Sequence, residues 1–367
     1  MRRLVSYFLL MHLTIHPTFA EDWPIFRGNL NQNGVSKDTS LPEKLQQLWR
    51  FSPNPKLGSI EGAPAIVNGV VYCGSFDEHL YALELKSGEL KWKLKLGALK
   101  ASPSYHKGRI YIGDMDGSFY CVDAAKGEII WTFKTGAEIS SGCNFADERI
   151  LVGSHDETLY CLNMKGEKVW AFKTQGPVNG SPVVAGSKTF VAGCDSNLHA
   201  LNIEDGKEIF NLDLGGPAGA TAAADGDNLY VGNMNNQFLA INLKKQKIEW
   251  TFEAEKKKQP FYASAAVTDR LIIVGSRDNK MYALDRQTGT MKWDWQTDGR
   301  VDSSPVVVGH RVFFGSLDRT FYELDVNKGT KLNDFTLDGA IAGSPAVGCG
   351  CVVIGTDKGT IYCFGKK

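Results

Sequence analysis

The chain has 367 residues, 41 of them Lys or Arg and 41 Asp or Glu; this balance argues against a general nucleic-acid binder, which would carry a basic surplus. Its 43% hydrophobic and 11% aromatic content allows a large core and excludes long disorder. Thirty-nine glycines suit a chain of many tight turns.

Residues 1–20, MRRLVSYFLLMHLTIHPTFA, place two arginines before an apolar run from Leu4 to Ile15 and end on Thr18-Phe19-Ala20, the layout of a secretory signal peptide. The run is short for a bilayer span, so a cleaved leader is expected, with an uncleaved anchor as the alternative. No cysteine stands at residue 21 to take a lipid. No later stretch could span a bilayer as a helix, so the mature chain is expected to lack a transmembrane segment and to be periplasmic or extracellular. Residues 21–47 lie outside any repeat and are expected to strap across the fold. Trp23, within them, is expected to matter less to stability than the tryptophans that follow, and removing Glu21–Lys37 to cost less than removing residues 21–52.

The segment LWRF, Leu48–Phe51, reads as a strand stopped by Pro53 and Pro55, with no partner beside it in sequence. The explanation lies downstream. A unit such as GSFDEHLYALELKSGELKW recurs from Gly74, Gly113, Gly153, Gly193, Gly232, Gly275, Gly315 and Gly355, at intervals of 39, 40, 40, 39, 43, 40 and 40 residues. Forty-residue units of short alternating strands and Gly/Asp turns are the signature of WD40-like propeller blades. Each unit predicts four strands. The first carries a GAP or ASP signature (Gly62–Val67, Ala101–Tyr105, Gly180–Val184, Ser303–Val307, Gly343–Val347, with degenerate forms at Ser141, Ala220 and Ala263), and the fourth carries Trp92, Trp131, Trp170, Phe210, Trp250, Trp293 or Asn333. That makes eight first strands and seven fourth strands. The last unit ends after its third strand, so LWRF, with Trp49 at the tryptophan position, supplies the missing one. The prediction is an all-β, eight-bladed β-propeller over residues 48–367, four antiparallel strands per blade, its ring closed by an N-terminal strand that completes the last blade and removes a free sheet edge.

The motif Ala82, Glu84, Gly88, Trp92, repeated as Cys121, Asp123, Gly127, Trp131 and as Ala283, Asp285, Gly289, Trp293, resembles the pyrroloquinoline quinone (PQQ) repeat family. The resemblance spans nearly the whole mature chain, and in size it is nearest the outer-membrane assembly-factor propellers. It implies that Trp49, Trp92, Trp131, Trp170, Trp250 and Trp293 dock between adjacent blades, and that Asp22–Ser36 is the segment preceding the first blade. Family members divide into quinoprotein dehydrogenases, which hold PQQ and calcium in the channel, and cofactor-free propellers that bind proteins. The paired adjacent cysteines common in the dehydrogenases are missing here, Cys349 and Cys351 being the nearest pair, and the 43-residue interval with Lys256–Lys258 holds the only insertion.

The residue before each first-strand signature is expected to line one mouth of the channel: Glu61, Lys100, Ser140, Asn179, Gly219, Tyr262, Asp302 and Ala342. Glu61, Lys100, Asn179, Tyr262 and Asp302 are the candidate ligand-binding residues. Glu61, Asn179 and Asp302 are the residue types that hold calcium and act as base in the quinoproteins, but they fall about three blades apart. The alternative is a polar, hydrated rim. Asp77, Asp116, Asp156, Asp278 and Asp318, with Asn235, share a turn register and are expected to cap tight turns rather than form an acidic crown. Cys121, Cys161 and Cys363 take a slot held elsewhere by Ala82, Ala200 and Ala283, so they are expected to fill small buried spaces; no CxxC suggests zinc. The histidines His79, His106, His155, His199 and His310 share no register, and no GxSxG elbow or Walker loop is present. Glu255–Pro260, EKKKQP, reads as a solvated basic loop. The function expected is that of an exported, non-catalytic scaffold that binds a protein partner, with cell-envelope assembly as the setting, as a monomer, with no catalytic residue, metal or cofactor. A PQQ/calcium quinoprotein oxidoreductase and a small-ligand sensor are the alternatives.

Overall fold

The computed structural model describes residues 21–53, 58–255 and 257–367; the expected signal peptide, residues 1–20, and Lys256 of the basic loop lie outside them. Among the described residues there are eight sheets and no helix, so no helix is long and apolar enough to cross a membrane. The sheets follow the repeat. In the first blade, antiparallel strands Ala65–Val67, Val70–Gly74, His79–Glu84 and Leu90–Lys95 run from channel to rim. The two-residue turn Asn68-Gly69, with φ of 51° and 74°, is the kind that matches strand twist. The middle strands are buried on both faces, whereas the outer strands of the first seven blades alternate between exposed and half-buried positions. This follows from blades stacking face to face while their last strands meet solvent.

The orphan strand closes the ring. Gln46–Phe51 pairs antiparallel with Ile361–Gly365, and Trp49 stands opposite Cys363. Each outer strand carries a register shift just before its tryptophan position, and Gln46–Phe51 reproduces it between Gln47 and Trp49. The bulge turns the indole onto the neighbouring blade.

Two sequence expectations need correction. The inner strands begin three residues later than the signatures suggested, at Ala65, Ser104, Val183, Val306 and Ala346. A proline stands just before each start, and proline has no N–H to give to a ladder. The seventh blade also gains a fifth strand, Val35–Ser36, running parallel to Val306–Val308.

The tryptophans dock between blades as the repeat implies. Each indole N–H donates to a backbone carbonyl in the next blade's last turn: Trp49 to Leu85 (2.8 Å), Trp92 to Ala124 (3.1 Å), Trp131 to Met164 (3.2 Å), Trp170 to Ile203 (2.8 Å), Trp250 to Arg286 (3.1 Å) and Trp293 to Val326 (2.9 Å). The ring lies flat on that turn's glycine. A Cβ added to Gly88 would sit 2.6 Å from Trp49, and one on Gly166 would sit 2.7 Å from Trp131. Both glycines have positive φ, so only glycine satisfies the backbone and the ring together. The two exceptions in the series are explained the same way. Phe210 faces the turn of the fifth blade, where Gln246 rather than glycine takes the positive φ of 52°, so the bare surface a tryptophan needs is missing. Asn333 faces the eighth blade, whose third and fourth strands come from opposite ends of the chain and share no turn. There Glu323 replaces the small residue opposite and forms a buried ion pair with Arg311 at 3.1 Å. Burial pushes the Glu323 carboxyl up, against the pull of Arg311.

The small slot opposite each tryptophan holds Ala82, Cys121, Cys161, Ala240, Ala283 and, beside Trp49, Cys363. The three cysteines there are buried and unbridged. Burial pushes the Cys161 thiol up to about 12, so it is inert at neutral pH.

The N-terminal segment does more than cross the ring: it completes a circuit of it. Glu21 accepts from Cys349 N in the eighth blade, Trp23 exchanges both backbone bonds with Ile66 in the first, and Pro24 accepts from Tyr105 in the second. The Asn144 amide in the third blade donates to Leu30 O. Leu30, Asn31, Asn33 and Gly34 then accept from Val184, Ala224, Val267 and Val307 in the fourth to seventh. Asp38 returns to the eighth by accepting from Gly350 N, and the ends meet where Glu21 accepts from Lys37 N at 2.7 Å. Trp23, only 1% exposed, belongs to the core, which argues against the expectation that it matters less than the repeat tryptophans. Arg27 is wholly buried below the ring and donates to Pro305 and Ala265 carbonyls; burial lowers its pKa to about 9, so it stays charged at neutral pH.

The turn carboxylates are structural. Asp77 accepts from His79 N and from the Tyr81 hydroxyl, and Asp156 and Asp318 take the hydroxyls of Tyr160 and Tyr322. In the second blade Asp114, not Asp116, does this, binding Asp116 N, Ser118 N and Tyr120; in the fifth Asn233, not Asn235, occupies the place. The fourth blade puts His199, and the fifth Leu239, where the other six have tyrosine. His199 Nε2 meets Asp195 at 2.8 Å and its Nδ1 meets Glu208 at 2.6 Å. Burial alone would lower the His199 pKa, but the two carboxylates outweigh it and hold it above the ordinary histidine value. Burial opposes ionisation of Asp195 too, yet His199 and backbone donors hold its carboxyl below the usual range. A raised histidine stabilises fully below its unfolded pKa and loses that contribution as pH rises through the folded one, whereas a depressed carboxylate loses its share only as pH falls through its folded value. The cluster is therefore expected to stabilise most between the two unfolded values, about 4 and 6.5. In denaturant titrations the wild type should lose stability from pH 6 to pH 9 more steeply than His199→Phe; parallel curves would remove the role.

Candidate functional site

All eight residues expected at the channel mouth line one cavity of about 260 Å³. They come together because each precedes the inner strand of its blade, and the eight inner strands surround the axis. Below them runs a belt of small hydroxyl residues at the next register position. Ser181 N–H donates to Thr221 Oγ1, Thr221 N–H to Ser264, Ser264 N–H to Ser304 and Ser304 N–H to Ser344, while Ala63 N–H donates to Ser102. Five of the eight inner strands are thus tied to the next blade by one hydroxyl. The belt is interrupted around the third blade, where the buried hydroxyls of Ser141 and Ser181 have no partner. Phe26, from the N-terminal circuit, also lines the cavity and lies against Gly142, so the circuit contributes to the cavity's lining.

A second layer of mouth residues, not foreseen from the sequence, comes from the turns between second and third strands. His155 and Arg277 line the cavity, and Cys194 reaches the Asn179 amide, with Nδ2 to Sγ at 2.8 Å. The signal was available: each stands beside the turn Asp, on the same end of the blade as the first layer. Their identities differ from blade to blade, so the repeat did not single them out.

These neighbours decide what the first layer can do. Arg277 forms a two-pronged pair with Asp302 (2.9 and 2.8 Å) and stacks 4.0 Å over the Tyr262 ring. Asp302 raises the Arg277 pKa further. A carboxylate held by both oxygens on a guanidinium is already committed to that partner. Glu61 lies 3.9 Å from Lys100, and Asn179 is turned to Cys194. Glu61, Asn179 and Asp302 therefore share a cavity but each has its own partner, and they do not present a joint oxygen set for calcium. Among the described residues no three His, Cys, Asp or Glu side chains converge on a metal position. The residues present do not fit the PQQ and calcium arrangement that the dehydrogenase alternative requires. His155 is the remaining titratable group: Nε2 meets Ser140 Oγ at 2.9 Å and Nδ1 lies 2.6 Å from Glu138 Oε1. Burial holds its pKa below the ordinary histidine value, with Glu138 pulling up and Lys100 down.

The family described as "Outer membrane protein assembly factor BamB" matches residues 43–140, 115–250 and 247–367. No curated protein matches the chain. Among solved structures, BamB from Moraxella catarrhalis superposes with a TM-score of 0.74 at 17% identity, covering 88% of this chain and 98% of that one. A europium-containing methanol dehydrogenase gives 0.76 at 14%, covering 94% and 98%, and the computationally designed Ika8 protein gives 0.77 at 15%, covering 88% and 100%. At such identities the likeness of an assembly factor, an enzyme and a designed protein establishes the fold alone. The family match is of a different kind, since its three segments run from the closing strand to the last residue, and on that ground the chain belongs to the family of the outer membrane protein assembly factor BamB.

Proposed function

We propose that the protein is an exported scaffold that binds other proteins, working in cell-envelope assembly. The family match along the whole ring carries this reading. The architecture supports it: a rigid ring, closed by its own N-terminal strand, presents loops and a polar funnel without needing a moving part. Rim charges such as Lys100, 39% exposed at the side chain, suit steering of a partner more than tight anchoring. The quinoprotein alternative is disfavoured by the pairing of Asp302 with Arg277, since such an enzyme needs base, metal and quinone to converge.

The test has two arms. Supplied with PQQ and calcium, the purified protein is expected to show no dye-linked oxidation of alcohols or sugars. Crosslinking in the native envelope is expected to capture a defined protein partner, and charge reversal at Lys100 to weaken that capture by about 1 kcal/mol, near fivefold. Robust PQQ-dependent turnover that Asp302→Asn abolishes would overturn the scaffold reading.

A further inference from the structure

Ser140, His155 and Glu138 form a chain of contacts that a rigid scaffold does not need. The Ser140 hydroxyl meets His155 Nε2 at 2.9 Å, and Glu138 Oε1 lies 2.6 Å from Nδ1 on the other side of the ring. A nucleophile within reach of a base, itself held by a third group, is the arrangement that activates a hydroxyl. We propose that Ser140 is an activated nucleophile that takes the acyl group of a small, uncharged ester and passes it to water.

Further observations bear on this. His155 is held below the ordinary histidine pKa, so at neutral pH the ring is uncharged. With Nδ1–H turned to Glu138, Nε2 is free to accept the Ser140 proton. Ser141, 9% exposed, and Ser181, 3% exposed, line the same cavity with hydroxyls that have no partner. Both oxygens are enclosed, so either side chain must turn toward the cavity before its O–H can donate to an oxyanion. Phe26 lies against Gly142, two residues beyond Ser140, and gives a short acyl chain an apolar surface. The mouth's charges, Glu61, Glu138 and Asp302 against Lys100 and Arg277, nearly cancel, which favours an uncharged substrate. A cavity of about 260 Å³ limits it to a small one.

In the first step Ser140 Oγ bonds to the ester carbonyl carbon as its proton passes to His155 Nε2. The C–O bond to the alcohol breaks, and the alcohol leaves with that proton. Water then attacks the acyl–Ser140 ester, giving a proton to Nε2, and Ser140 recovers it as the carboxylic acid departs. No electron carrier is needed. His155 is the base; Glu138 is a positioning residue.

The probes are an alkyl fluorophosphonate, read by intact mass and peptide mapping, and 4-nitrophenyl acetate. Phosphonylation is expected at Ser140 in preference to Ser264 and Ser304, with a rate that rises through a pKa below about 6.5 and is flat above it. Ser140→Ala should abolish the label, His155→Ala should slow it about a hundredfold, and Glu138→Gln about tenfold with a displaced pH profile. The acetate should release one equivalent of nitrophenolate in a burst. Melting curves keep the variants comparable; where His155→Ala unfolds, the Glu138→Gln profile decides. A Ser140 label no faster than that of Ser264, or a rate and profile indifferent to both variants, overturns the proposal. The scaffold reading is tested by partner capture and stands or falls separately.

Discussion

Removing residues 21–52 is expected to leave no cooperatively folded monomer. The deletion takes away the outer strand of the eighth blade and exposes Ile361–Gly365 as a free edge beside the buried Tyr362 and Phe364. It also strips Trp23, Ile25, Leu41, Leu45 and Trp49 from the core. At about 1.5–3 kcal/mol for each large apolar side chain, the loss matches the whole stability of an ordinary domain, about 5–15 kcal/mol. Aggregation through the bare edge should follow. Removing Glu21–Lys37 alone spares the closing strand, yet it deletes the circuit through all eight blades, so its cost should also be large, with a fall in melting temperature of about 10 °C or more. Circular dichroism melting and size-exclusion chromatography would measure both. A protein without residues 21–52 that melts as the intact chain does would refute closure by the N-terminal strand.

Trp23→Ala is expected to cost about 3–5 kcal/mol, the usual range for a buried large aromatic, and more than Trp131→Ala. Trp23 is 1% exposed and Gly28 packs on its ring, whereas Trp131 is half-buried on the rim. The indole N–H of Trp23 has no acceptor, so Trp23→Phe should recover most of the loss. At Trp49 the N–H bonds to Leu85 O, so Trp49→Phe gives up about 1 kcal/mol for that bond as well as packing. Denaturant midpoints for the four variants would order them; a smaller loss for Trp23→Ala than for Trp131→Ala would return the N-terminal segment to a peripheral role.

What the sequence revealed was what repeats. Gly74 to Gly355 marked the blades, the count of tryptophan positions against first strands exposed the closing strand, and the register before each signature placed Glu61 through Ala342 around one mouth. What stayed hidden is set by single events. His155, Cys194 and Arg277 occupy one turn position with unrelated side chains, so a periodic reading passes over them, although they decide whether Asp302 is free and whether Ser140 has a base. The circuit is made mostly by backbone groups, which any sequence carries, and its buried Trp23 and Arg27 have no periodic neighbours to reveal them. The turn acids were read correctly in kind, but Asp114 took the work assigned to Asp116 because local geometry favoured the earlier residue.

The circuit has a consequence for the order in which the molecule can be made. Glu21 is bound by Cys349, and Arg311 donates to Leu41, Pro42 and Glu43. Glu21 and the stretch before the closing strand thus find partners near the far end of the chain, the circuit between them needs every blade in turn, and the last blade stays one strand short until the two ends meet. A polypeptide emerging from its N-terminus can form single blades as it lengthens, but it cannot seat the circuit or seal the ring until nearly all of it has appeared. Long-range closure of this kind is slow, and it leaves an open, edge-bearing intermediate exposed to aggregation meanwhile.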